Sequence, residues 1–193
     1  MTANEGRGAP VVDQVPVRAP LPSCMTFSSL GLSDRLVRAL AELALTEPTP
    51  VQTAAIPEIL RGKDVCASAE TGSGKTAAFA LPLLETVSAT PTKSPRPTLA
   101  LVLVPTRELA AQVAEAIRGY GRRLEPPPKT SVAVGGVSIN PQMMELRGGA
   151  EFVVATPGRL LDLVDRNALR LSSVKTLVLD EADRLLSLGF EIG

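Results

Sequence analysis

The sequence predicts an α/β fold: a mostly parallel sheet with helices on both faces. Three observations support this. From residue 27 onward, apolar strand-like runs alternate with helical patterns. The runs Leu99 to Val104 and Thr176 to Leu179 are apolar at nearly every position, as strands buried on both faces are. A glycine-rich segment, residues 69–76, joins the first strand-like run to an apolar helix, an arrangement that puts ligands beyond the carboxyl ends of strands.

The elements follow in order. Helical patterns are expected near 33–43 and 51–60, then a strand at 65–68, where Val65-Cys66-Ala67-Ser68 is a short apolar run. A helix over 75–88 leads to Thr90 to Pro97, whose three prolines read as a surface loop. The strand near 99–104 then gives way to a helix over 107–122, a second surface loop at Glu125 to Lys129 and a strand near 131–134. Helix 140–147, strand 151–155, helix 158–166 and strand 175–179 complete the alternation, and a helix Arg184 to Leu188 follows the last strand. No internal repeat is present.

At 193 residues, 45% hydrophobic and 21% charged, the chain holds one globular domain with a sizeable core. Formal net charge is zero, so any polyanion contact must be local, and without histidine there is no imidazole for catalysis or metal binding. Cys24 and Cys66 form no disulfide framework or metal-ligand spacing; Cys66 reads as a small hydrophobe in a strand, and a reducing compartment is expected. Residues 1–25, with Pro10, Pro16, Pro20 and Pro22, read as a disordered arm, and 26–193 as the folded domain. The arm has no run long enough for a signal peptide or membrane helix, and Glu5 and Asp13 interrupt any presequence-like face. A cytoplasmic, membrane-free and monomeric protein is the expectation.

The segment Ala69-Glu70-Thr71-Gly72-Ser73-Gly74-Lys75-Thr76 reads as a phosphate-binding loop. Its glycines let backbone N–H groups turn onto a polyphosphate, Lys75 can reach the outer phosphates, and the Thr76 hydroxyl can hold magnesium at a helix N-terminus. The general pattern has Gly where this chain has Ala69, and Gly-Ser-Gly alone is also compatible with a flexible turn. At the end of Leu177-Val178-Leu179 stands Asp180-Glu181-Ala182-Asp183. Asp180 suits magnesium, partly through water, and Glu181 suits orientation of an attacking water. The same acids also read as helix caps; with the loop upstream, ATP and magnesium chemistry is the better account of both.

In this order the motifs resemble the first RecA-like domain of the DEAD-box ATP-dependent RNA helicases, a P-loop NTPase fold. Asp180 to Asp183 spells the family's signature, and the family also has Ala at the position of Ala69. Pro48-Thr49-Pro50-Val51-Gln52 looks like the motif that recognises adenine, with Phe27 as its upstream aromatic. A glutamine amide has the donor and acceptor to pair with adenine and not with guanine. Where the family usually has Gly, this chain has Ala44. Pro105-Thr106-Arg107-Glu108-Leu109-Ala110, Gly135-Gly136 and Thr156-Pro157-Gly158-Arg159 resemble the RNA-contacting motifs, which hold the backbone without reading bases. Individually these are also good helix starts and a turn. Ser88-Ala89-Thr90 matches the family's coupling tripeptide but stands in the wrong place, at a helix end ahead of the second strand.

The resemblance covers residues 27–193. It implies ATP and magnesium as cofactors, single-stranded or duplex RNA as partner, and Lys75, Asp180 and Glu181 as catalytic groups. It further implies that the coupling motif, its strand and a C-terminal RecA-like domain lie outside the chain, so the sheet is expected to be incomplete and unwinding by this chain alone is not expected. An idle RNA- or protein-binding fragment is the alternative, which intact Lys75 and Glu181 oppose. A DNA helicase on the same core is a third, which Gln52 with Phe27 and the spelling of the acidic signature disfavour.

Overall fold

The computed structural model describes residues 25–70, 72–91 and 93–187. The expected arm up to residue 24, with Cys24, and the signature loop's Thr71 lie outside the described residues, as does the end of the expected last helix at Leu188. Four parallel strands form one sheet in the order β2-β3-β1-β4: β1 is Ala100–Leu103, β2 Thr130–Ala133, β3 Phe152–Ala155 and β4 Thr176–Leu179. The register aligns Ala100 with both Phe152 and Thr176, and Thr130 with Phe152, so the carboxyl ends of all four strands share one edge.

Alternation along the strands splits the core in two. Ala100, Val102, Phe152 and Val154 pack with α1 (Asp34–Glu42), α2 (Pro50–Leu60), α3 (Lys75–Ser88) and α4 (Arg107–Gly121). Leu101, Leu103, Val153 and Ala155 turn the other way, against α5 (Ile139–Leu146), α6 (Pro157–Asp165) and α7 (Ala182–Ser187). Helices therefore cover both faces, as expected. A short 3-10 helix, Phe27–Leu30, was not anticipated by the periodicity.

Two strand expectations need correction. Residues 65–68 are not a strand: Cys66 makes only an isolated bridge and is exposed. β4 is not buried on both faces, because it is the sheet's edge, and Leu177 and Leu179 are 51% and 37% exposed. An apolar run becomes a strand only where a neighbour completes its ladder, and among the described residues no strand lies beside the free edge of β4.

Ala44, the departure from the usual glycine, sits at φ 57°, in the left-handed region that penalises a Cβ. Ala44→Gly is therefore expected to stabilise the chain by about 1 kcal/mol, raising the melting temperature by roughly 2–4 °C. A lower melting temperature in that variant would contradict the backbone geometry at this turn.

Candidate nucleotide and RNA site

The phosphate loop closes on its own lysine. Gly72 and Gly74 lie at φ 81° and 91°, conformations that turn the loop into α3, whose first residue is Lys75. The Lys75 ammonium donates to the carbonyls of Ala69 and, at 3.1 Å, Glu70. Ser73 Oγ is buried without a partner. The loop thus holds a cation and an unused hydroxyl, both suited to phosphate oxygens.

Asp180 leaves β4 at the same edge of the sheet, its N–H donating to Leu103 O at 3.0 Å. Burial pushes its carboxyl above the ordinary carboxylate range; the Glu181 N–H bonded to Oδ1 at 3.1 Å and the charge of Lys75 pull it back, while the Glu181 charge adds to the push. Glu181 adopts φ 52°, a strained conformation for a side-chain-bearing residue, and its carboxylate accepts from Arg184 Nη1 at 2.8 Å. Asp180 and Thr76 together provide one carboxylate and one hydroxyl. These hard oxygen donors fit magnesium, which takes few protein ligands and fills its shell with water and phosphate oxygens. Among the described residues no group of three or more His, Cys, Asp or Glu is placed to hold a metal ion.

Gln52 is 4% exposed and faces the loop. Its Oε1 accepts from Thr49 N at 3.0 Å, the capping box that starts α2, while Nε2 donates to Gly74 O at 3.1 Å. A Cβ at residue 74 would overlap the Gln52 amide and approach Thr49 Oγ1 to 3.1 Å. Phe27 is 3% exposed within the larger core, so in this arrangement it is an apolar anchor and not an open stacking face.

The other three segments end β1, β3 and β2 along the same edge. Thr106 caps α4, its hydroxyl accepting from Leu109 N at 3.2 Å, and is half-buried with Pro105. The exposed Arg107 lies over Gly136, where an added Cβ would come within 2.5 Å of Nη1; φ of 73° also favours glycine there. Thr156 caps α6 without a side-chain hydrogen bond, Pro157 is buried, and Gly158 is exposed. Arg159 is 8% exposed: Nη2 donates to Val137 O at 2.8 Å, Nε lies 3.6 Å from Asp162, and Nε and Nη1 are buried without a hydrogen-bond partner. Arg159 thus ties the α6 start to the loop containing Gly135 and Gly136. Gln142 also holds that loop, bonding Val134 N and O at 3.2 and 3.0 Å. Nothing local in the sequence singles out Gln142, because its partner is backbone brought near by the fold. Ser88 and Thr90 bond back to Glu85 O and Thr86 O at the end of α3, away from this edge, as their sequence position implied.

Residues 49–192 match the family model described as DEAD/DEAH box helicase. The chain belongs to the DEAD/DEAH box helicase family. It is 47% identical over 168 residues to RNA helicase CrhR of Synechocystis sp., a match taking in 86% of this chain and 32% of that protein. ATP-dependent RNA helicase DeaD of Mycobacterium tuberculosis is 47% identical over 175 residues, 91% of this chain and 30% of that protein. DEAD-box ATP-dependent RNA helicase 30 of Arabidopsis thaliana is 45% identical over 174 residues, 89% and 29% respectively. The chain thus spans about a third of the length of these curated relatives. The matched residues include both the phosphate loop and the acidic strand end. Among the described residues no helix is long and apolar enough to cross a membrane.

Proposed function

We infer that the chain is the N-terminal ATP- and RNA-binding portion of a DEAD-box ATP-dependent RNA helicase. The observation that carries this reading is the match of residues 49–192, which hold both the phosphate loop and the acidic strand end, to the DEAD/DEAH box helicase family model. When a nucleotide enters, its phosphates replace the Ala69 and Glu70 carbonyls as partners of the Lys75 ammonium, and the N–H groups at the start of α3 face the same oxygens. Thr76 and Asp180 would hold magnesium, which would supply positive charge to the phosphates. Glu181 orients the attacking water once its carboxylate leaves Arg184.

Gln52 couples base recognition to the loop, since the amide available to adenine also bonds Gly74 O. The RNA backbone lies along the edge formed by Pro105, Thr106, Arg107, Gly135, Gly136, Thr156, Pro157, Gly158 and Arg159. The exposed Arg107 supplies positive charge there, Arg159 braces the edge from within, and no base edge is read. The second RecA-like domain, which completes both sites in the family, is a required partner for unwinding.

Calorimetric titration with Mg-ADP and Mg-GDP tests the reading. Wild-type chain is expected to bind ADP in preference to GDP, and Gln52→Ala to weaken ADP by about tenfold, the cost of one buried hydrogen-bonding group left without its partner. Equal affinity for the two nucleotides in the wild type would refute the adenine-specific site.

A further inference from the structure

At the amino ends of the strands, opposite the nucleotide edge, is a cavity of about 650 Å³. Its walls come from the segments that enter β1, β3 and β4 and from the end of α5. Four arginines line it and no carboxylate does. Arg96 is already neutralised: its Nη1 lies 3.0 and 3.1 Å from the two oxygens of the buried Glu151. Arg147, Arg166 and Arg170 are exposed and make no ion pair among the described residues. In a chain of zero net charge this is a local excess of three positive charges around one concavity.

The floor is different in character. Met143 and the largely buried Leu146 and Leu169 contribute apolar atoms to the lining, and no aromatic residue lines the cavity. Guanidinium groups alone suit phosphates as well as carboxylates, and it is the apolar part of the lining that favours a peptide over a nucleic-acid backbone here. An aliphatic side chain flanked by carboxylates matches both features, because guanidinium forks pair with carboxylates in planar, two-bond geometry.

We propose that this cavity docks an acidic peptide segment of a partner protein, with carboxylates on Arg147, Arg166 and Arg170 and an aliphatic side chain on Leu146 and Leu169. Its position at the opposite ends of the strands leaves the nucleotide edge free, so the partner and the nucleotide bind together. The Arg96–Glu151 pair, reinforced by the Lys129 N–H on Glu151 at 2.9 Å, holds the wall in shape without a ligand.

The test is fluorescence anisotropy of the full chain with a short labelled peptide alternating Glu, Asp and Leu. A second peptide with Ser for Leu and an unstructured single-stranded RNA serve as comparison probes. Wild-type chain is expected to bind the first peptide saturably and several-fold more tightly than the Ser peptide. Combined Arg147→Glu, Arg166→Glu and Arg170→Glu should weaken it by at least about tenfold, while replacement by Lys, which keeps the charge and loses the two-bond geometry, should weaken it by less. An unchanged melting temperature establishes that the charge-reversed chain is folded; if it is not, Arg166→Glu alone serves, with a several-fold loss expected. No binding of the peptide by wild-type chain, or equal binding by the reversed variant, overturns the proposal. RNA binding that the reversal abolishes, with no peptide binding, overturns it in favour of a phosphodiester site.

Discussion

Lys75→Ala is expected to abolish measurable nucleotide binding by this chain while leaving it folded. The ammonium lies at the first residue of α3, inside the loop, bonded to Ala69 and Glu70 carbonyls that a phosphate would displace. Truncating one partner of a charge-assisted contact to a polyphosphate costs about 2–5 kcal/mol, a loss of roughly thirtyfold to several thousandfold. Stability should change far less, because Lys75 is only half-buried and the two carbonyls it releases can bond to water. Calorimetry with Mg-ADP beside a thermal melt separates the two effects. Retained affinity would mean that nucleotide, if bound, is held somewhere other than this loop.

The second large effect is on stability and lies at the other end of the sheet. Gly149→Ala is expected to destabilise the chain by on the order of 3–5 kcal/mol, combining left-handed backbone strain with overpacking. Gly149 adopts φ 71° and pairs with Arg96 in an isolated parallel bridge ahead of β1 and β3. An added Cβ would lie 2.7 Å from both the nitrogen and the carbonyl carbon of Arg96, and closer still to its oxygen. Backbone cannot swing aside as a side-chain tip can, and here it is also held by Arg96 N donating to Gly148 O at 3.0 Å. Thermal unfolding should fall by roughly 10 °C. A melt within about 2 °C of wild type would show that the two segments do not approach this closely in solution.

How far the sequence could be read depended on whether a signal was local. Lys75 and Asp180 were legible because loop and acidic signature each carry their chemistry in consecutive residues, and the helices matched within a residue or two because their apolar spacing is a property of one segment. Val65 to Ser68 was read as a strand from the same kind of run and is not one. Its apolarity is local, but strand formation is a relation between two segments. The resemblance places Phe27 at the nucleotide; its burial within the larger core is set by the fold and not by its place in the sequence. The roles of Gln142 and of the Arg159 bond to Val137 were invisible for a related reason, since each bonds backbone of another loop.

By itself, then, the sequence determined the α/β alternation, the phosphate loop, the acidic strand end and the order of motifs that marks the family. Tertiary structure alone decided that the sheet runs β2-β3-β1-β4 and that β4 is its edge. It also decided that Gln52 bonds the loop and that Arg147, Arg166 and Arg170 line one cavity. The division has a physical cause. Turn geometry, helix spacing and side-chain chemistry are set within a few residues, whereas charge interaction, burial and concavity depend on segments that only the packed fold brings together.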